Sequence, residues 1–288
     1  MKPKTLILKT AGINCDEELA HGFRMAGADA EIVHINELVR GERSISEFDI
    51  IGFPGGFSYG DDLSAGRVLA TEVDAHLLSE LHDFYDSGKL MIGICNGFQT
   101  LVKAGILPYL NETDTGFETV PDATLFWNDS GKFEDRWVTL RVESVTKCVW
   151  TKGLPALIEY PVAHAEGKFI PSSDTVLQSL VRSGQIVFRY CDPANPDRAM
   201  TGEVPYPFNP NGSVGNIAGV CDPTGRVLGL MPHPERFLYA ENHPRCTRRR
   251  TDASTGRLDI ATEPERVDGL PLFKNAVEYI LANKRLPV

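Results

Sequence analysis

Apolar residues follow two rhythms along this chain. Up to about Pro108, short runs that are apolar throughout alternate with segments whose apolar positions recur at helical spacing. Thr5–Lys9, Ala30–Ile35, Phe48–Phe53 and Leu90–Ile94 read as strands, while Asp16–Ala26, Ala65–Tyr85 and Gly97–Ala104 read as helices. Gly27 suits the stop of the first helix. Strands without a polar face, separated by helices, imply an α/β fold: a mostly parallel sheet covered by helices on both faces.

After Pro108 the rhythm shortens. Ala123–Trp127, Trp137–Val142, Ile186–Tyr190, Ile217–Cys221 and Val227–Met231 read as strands, joined by turn-rich links such as Asn209-Pro210-Asn211-Gly212. Pro223-Thr224-Gly225 predicts a hairpin between the last two. Asn242–Pro264 is polar and irregular, and Leu270–Ala282 reads as an amphipathic helix. With no repeats and no low-complexity linker, residues 1–288 are expected to form one α/β domain with a β-rich later section.

Composition narrows the class. The 288 residues are 42% hydrophobic and 24% charged, which excludes global disorder and allows a large core. The 29 Lys and Arg against 39 Asp and Glu give a net charge of −10, which argues against a nucleic-acid partner. No apolar stretch approaches the roughly 18 residues of a membrane span, and the opening MKPKTLILKT lacks the apolar core of a signal peptide. The six cysteines are scattered, with no CxxC pair, and read as reduced and mostly structural in a cytoplasmic protein.

One segment, LMIGICNGFQTL, joins a buried strand to a helix through Gly93-Ile94-Cys95-Asn96-Gly97. This is the spacing of a nucleophile elbow, with cysteine as the nucleophile. A sharp turn lifts the thiol above the sheet edge, and the following helix aims its free N–H groups at it, favouring a thiolate and a developing oxyanion. A buried structural cysteine is the plainer reading of so short a pattern, so a base must accompany it. Met231-Pro232-His233-Pro234-Glu235 supplies one just after a strand. Flanking prolines keep the backbone extended, so Glu235 is expected on the same side as His233, accepting from one imidazole nitrogen while the other faces Cys95. The loop Pro54-Gly55-Gly56-Phe57-Ser58-Tyr59-Gly60-Asp61 follows the third strand, and its paired glycines allow a close backbone approach to a ligand.

These segments resemble class I glutamine amidotransferases. The closer resemblance is to the glutaminase-subunit family of phosphoribosylformylglycinamidine synthase, carried by GICNGFQ, PGGFSYGD, MPHPER, Gly12-Ile13-Asn14-Cys15-Asp16, Pro161-Val162-Ala163-His164-Ala165-Glu166-Gly167, Phe188-Arg189-Tyr190 and Asn209-Pro210-Asn211-Gly212-Ser213. The resemblance implies a flavodoxin-like α/β fold, with Cys95 as nucleophile, His233 as base and Glu235 as its orienter. It implies substrate and oxyanion contacts from Gly55, Gly56, Phe57, Asn96 and Gln99, and L-glutamine as substrate. It further implies a synthetase partner that holds ATP and Mg²⁺, so that this chain needs no cofactor, and leaves open whether a small third subunit takes part. Cys15, in the first βα loop, is expected near the site.

Two other readings stay open: a stand-alone Cys-His hydrolase of another amide or γ-glutamyl peptide, and a regulatory subunit that kept the fold and lost activity. His164 and Glu166 offer only two ligands, so no metal is expected there. Between about 238 and 267 lies an insertion carrying Arg245, Arg248, Arg249, Arg250, Arg257 and Arg266. Such a charge run is ordinarily a solvated loop; the sharper expectation is that it docks on the synthetase partner.

Overall fold

The computed structural model describes residues 2–108, 122–246 and 267–283. Its strands are β1 (Lys4–Lys9), β2 (Asp29–His34), β3 (Ile50–Phe53), β4 (Leu90–Ile94), β5 (Ala123–Phe126), β6 (Glu134–Val142), β7 (Leu157–His164), β8 (Lys168–Pro171), β9 (Ile186–Tyr190), β10 (Ile217–Cys221) and β11 (Val227–Leu230). Nine of them form one sheet in the order β2-β1-β3-β4-β11-β10-β9-β6-β7, and β5 pairs with β8 apart from it. The run from β2 to β11 is parallel, with the helices α1 (Asp16–Met25) and α2 (Ile35–Val39) between its early strands; β10, β9, β6 and β7 continue it antiparallel. The later section therefore extends the first sheet. The parallel strands β3 and β4 are buried at every position, as expected of strands covered on both faces. The hairpin between β10 and β11 forms as the sequence predicts, its turn tied by the Asp222 carboxylate, which accepts from the Thr224 and Val227 N–H groups at 2.8 Å each.

Several elements depart from the sequence reading, which omits the short strand β8 among them. The helix expected over Ala65–Tyr85 is two helices, α3 (Arg67–His76) and α4 (Leu78–Asp86), divided at Leu77. Val73, Leu77 and Leu81 are all buried, so the apolar stripe runs on across the break and hides it. The sequence reading also omits β7, whose side chains alternate inward and outward around a central Pro161. Proline fits because β7 is the last strand of the sheet. The helix Asp174–Ser183 is omitted as well, although Ser173 caps it by accepting the Val176 N–H and Gly184 ends it in the left-handed conformation.

Of the insertion, residues 238–246 are described, and Leu238 and His243 are buried, with His243 packed on Trp137 at 4.3 Å between ring centres. Arg248, Arg249, Arg250, Arg257 and Arg266 lie outside the described residues. Among the described residues no helix is long and apolar enough to cross a membrane.

Candidate active site

Parallel pairing decides which loops meet. β4 lies between β3 and β11, with Gly93 opposite both Phe53 and Gly229. Strands in register lie about 4.8 Å apart, so the residues that leave β3, β4 and β11 at their carboxyl ends emerge side by side. Those residues are the Pro54–Asp61 loop, Cys95 and His233. The loop after β1, carrying Cys15, joins them, since the Cys15 N–H donates to the Gly55 carbonyl at 3.2 Å.

Cys95 has φ +52° and ψ −107°, a strained conformation for a side-chain-bearing residue, worth of order 1–3 kcal/mol. Close packing enforces it. A Cβ on Gly97 would stand 1.9 Å from the Phe53 carbonyl oxygen, so only glycine lets the elbow seat against β3. The Cys95 N–H donates to the Leu230 carbonyl at 2.8 Å, and its thiol donates to the Ala163 carbonyl at 3.6 Å. The helix α5 (Asn96–Lys103) starts at the next residue. Neither the Asn96 N–H nor the Gly56 N–H donates to an acceptor among the described residues, leaving both available to an oxyanion. Gly56 holds φ +141°, with the neighbouring Asn14 nitrogen 2.8 Å from where a Cβ would be.

His233 and Glu235 are buried, and the His233 Nδ1–H donates to Glu235 Oε1 at 2.6 Å. That leaves Nε2, which makes no hydrogen bond of its own. The route differs from the expected extended strand: Pro234–Arg236 is a single 3-10 turn, and it is this turn that returns the carboxylate to the ring. The His233 N–H donates to the Pro161 carbonyl at 2.8 Å, so β7 holds this residue in place. Burial pulls the His233 pKa down, but the Glu235 carboxylate and then the neighbouring Cys95 and Cys15 thiols outweigh it and hold the pKa well above the usual 6.5.

Cys15 is indeed at the site. Its thiol accepts from Arg236 Nη2 at 3.1 Å, and burial raises its pKa. Gly55 sits between the three groups, where a Cβ would be 2.7 Å from His233 Cε1, 3.2 Å from Cys15 Sγ and 3.4 Å from Cys95 Cβ. Among the described residues, Cys15, His233 and Glu235 bring three metal-ligand atoms within 4.8 Å of one another. Because His233 Nδ1 is already engaged by Glu235, this arrangement suits a proton relay.

The remaining expected residues shape a cavity of about 390 Å³ that opens onto Cys95. Phe57 spends its N–H on the Gly12 carbonyl at 2.9 Å, so it offers no oxyanion donor; its ring stands at the mouth, stacked on Phe133 at 6.3 Å. Phe57, Leu63, Trp127 and Phe133 form an exposed apolar rim there. Gln99 lines the wall and donates to the Glu166 carbonyl at 2.6 Å. His164 and Glu166 do not converge on a common point. His164 Nδ1 donates to Asn128 Oδ1 at 3.1 Å, and its burial lowers its pKa to about 3. The Glu166 carboxylate accepts from the Ala65 N–H at 3.1 Å and pairs with Lys103 at 3.5 Å.

Sequence reasoning missed the two β7 carbonyls at Pro161 and Ala163, and Asp61, whose carboxylate accepts from Asn96 Nδ2 at 2.8 Å. Its signal was present, because Asp61 ends the glycine loop already singled out.

A thiol on a strained elbow, a buried imidazole–carboxylate pair and two free N–H groups, gathered where β3, β4 and β11 end, can attack a carbonyl, hold the resulting oxyanion and protonate a leaving group. Residues 2–280 match the family described as CobB/CobQ-like glutamine amidotransferase domain. Phosphoribosylformylglycinamidine synthase subunit PurQ of Methanococcus maripaludis is 43% identical over 280 residues, covering 97% of this chain and 99% of that protein. The subunit of the same name from Dehalococcoides mccartyi is 44% identical over 278 residues, covering 96% and 98%. A chain from the structure of PurLQS from Thermotoga maritima is 28% identical and superimposes with a TM-score of 0.66, covering 97% of this chain and all of that one. A glutamine amidotransferase from the same organism, 16% identical with a TM-score of 0.54, shares the fold. By the extent of these matches, the chain belongs to the CobB/CobQ-like glutamine amidotransferase family.

Proposed function

We propose that this chain is the glutaminase subunit of a phosphoribosylformylglycinamidine synthase. It hydrolyses L-glutamine to glutamate and ammonia and passes the ammonia to a synthetase subunit, which uses ATP and Mg²⁺ to make formylglycinamidine ribonucleotide from formylglycinamide ribonucleotide. The observation that carries the reading is the convergence of Cys95, His233 and Glu235 in a chain whose full-length relatives are PurQ subunits. The name PurLQS of the Thermotoga maritima assembly is in keeping with a third subunit. We place the protein in the cytoplasm, in keeping with six free cysteines.

In the chemical step the Cys95 sulfur attacks the side-chain amide carbon of glutamine, and its proton passes to His233. The tetrahedral oxyanion rests on the Gly56 and Asn96 N–H groups, each such donor being worth about 10²–10³ in rate. His233 returns the proton to the departing nitrogen, releasing ammonia and leaving a γ-glutamyl thioester. Water, deprotonated by His233, then cleaves the thioester to glutamate and restores the thiol. Glu235 holds the imidazole in the tautomer that presents Nε2. The apolar rim of Phe57, Leu63, Trp127 and Phe133 is where the partner would seal the mouth against loss of ammonia.

The test is glutamate release with and without the synthetase subunit and its substrates, in wild type and Cys95→Ala. The expected result is low activity alone, a large rise in the complex and none in the variant. Full activity without the partner would favour a stand-alone amide hydrolase.

A further inference from the structure

The chemistry above uses only the side-chain amide of the substrate, yet a free amino acid also brings an α-ammonium. We infer that the Asp61 carboxylate receives that ammonium and so selects free glutamine over amides that lack an α-amino group. This rests on the glutaminase reading and deepens it.

The cavity wall contains acids and no basic side chain: Asp61, Asp62 and Glu166 line it, and its one imidazole, His164, is neutral across the physiological range. Glu166 is already neutralised, by Lys103 at 3.5 Å and the Ala65 N–H at 3.1 Å. Asp61 is not, for it forms no ion pair among the described residues. Its hydrogen-bond partners are neutral donors, Asn96 Nδ2 at 2.8 Å and the Gly66 N–H, while Lys103 reaches it only through space and Glu166 repels it. Burial accordingly pushes its pKa up, more than those two hydrogen bonds pull it down. A half-buried carboxylate whose neighbouring cation, Lys103, is paired with another acid is an unfavourable arrangement until a second cation arrives.

Its position fits the substrate. Asn96 directly follows the nucleophile, and its side chain also meets Gln99 Oε1 at 3.3 Å and accepts from the Ser58 N–H at 3.3 Å. One braced side chain therefore separates the elbow from Asp61. The amide end of glutamine at Cys95 and an ammonium at Asp61 would both lie against the lining of the same cavity.

The experiment compares glutamine with glutaramate, which has the same amide and carboxylate but no α-amino group, in the complex with its synthetase partner. In wild type, kcat/KM for glutamine is expected to exceed that for glutaramate by about 10²-fold, the scale of a charge-assisted contact. Asp61→Asn should lose about 10²-fold on glutamine, mainly through KM, while glutaramate turnover changes little and the preference collapses. Asp61→Ser, which is smaller and keeps an acceptor for Asn96, should do the same. Equal losses on both substrates would mean that Asp61 only braces Asn96, and would overturn the assignment. So would a wild type that treats the two amides alike, a result that needs no variant to fold. A wild-type complex that hydrolyses neither amide would refute the glutaminase reading, and this assignment with it.

Discussion

Gly55 offers a direct perturbation of the relay, because its backbone conformation is open to any residue while its surroundings are not. A Cβ there meets His233 Cε1 at 2.7 Å, where ordinary contact begins at 3.4 Å. In Gly55→Ala the imidazole must therefore retreat by roughly 0.7 Å, and it has little room to do so: it is buried, and its Nδ1 is held by Glu235 at 2.6 Å. A 1 Å misplacement of a reacting group costs about 10²-fold in rate, and overpacking a filled core costs about 1–3 kcal/mol. The expected outcome is a fall in kcat of about 10- to 100-fold with a loss of stability of about 1–3 kcal/mol. Steady-state ammonia release by the complex measures the first, and urea denaturation the second. Gly202→Ala is the control, since Gly202 is extended and has nothing within 4 Å of its Cβ position. A Gly55→Ala enzyme within about three-fold of wild type in kcat would refute the view that Gly55 spaces His233 from Cys95.

Other expectations follow from the same geometry. Cys95→Ala should form no γ-glutamyl thioester in an acid-quench mass measurement; a trapped adduct on another residue would remove the mechanism. Glu235→Gln removes the carboxylate that raises the His233 pKa, so the acidic limb of the pH–rate profile, on which the base loses its proton, should move to lower pH; an unmoved limb would show that Glu235 does not set it. Because the folded pKa of His233 lies above its ordinary 6.5, the stability it contributes is fully present below about pH 6.5 and is lost as pH rises through the raised value. Glu235→Gln should thus destabilise more at about pH 6 than at about pH 10 in denaturant titrations, and equal losses would contradict the linkage. Asp222→Ala, remote from the site, should cost about 2–4 kcal/mol by stranding the Val227 and Thr224 donors and the Tyr85 hydroxyl; a loss below about 0.5 kcal/mol would mean that water replaces the carboxylate there.

The strands of the first half were legible because full burial leaves a fully apolar run, and the elbow because a tight turn demands small neighbours. His233 and Glu235 were legible as a pair from their spacing alone, though the backbone between them was not, since a proline is equally at home in an extended chain and in the first position of a 3-10 turn. β7 escaped because Pro161 interrupts its pattern, and only its place at the end of the sheet makes that proline harmless. The break at Leu77 escaped because the buried stripe does not break with the backbone. Asp61 and Cys15 illustrate a different limit. Each lies in a readable loop, but its significance comes from which loop of another strand it meets, and periodicity within one segment carries no such information.

The edge of β7 has a consequence for biosynthesis. Cys95 is made early, while the carbonyls of Pro161 and Ala163 and the imidazole of His233 come from sequence added 66 to 138 positions later. A growing chain that has reached only α5 holds a thiol with no base beside it. On the proposed mechanism, the reactive centre is armed only when the hairpin of β10 and β11 closes onto β4 and the turn at Pro234 docks on β7. A truncated or half-made chain thus stays silent, and free ammonia is not released by fragments that could never hand it to a partner.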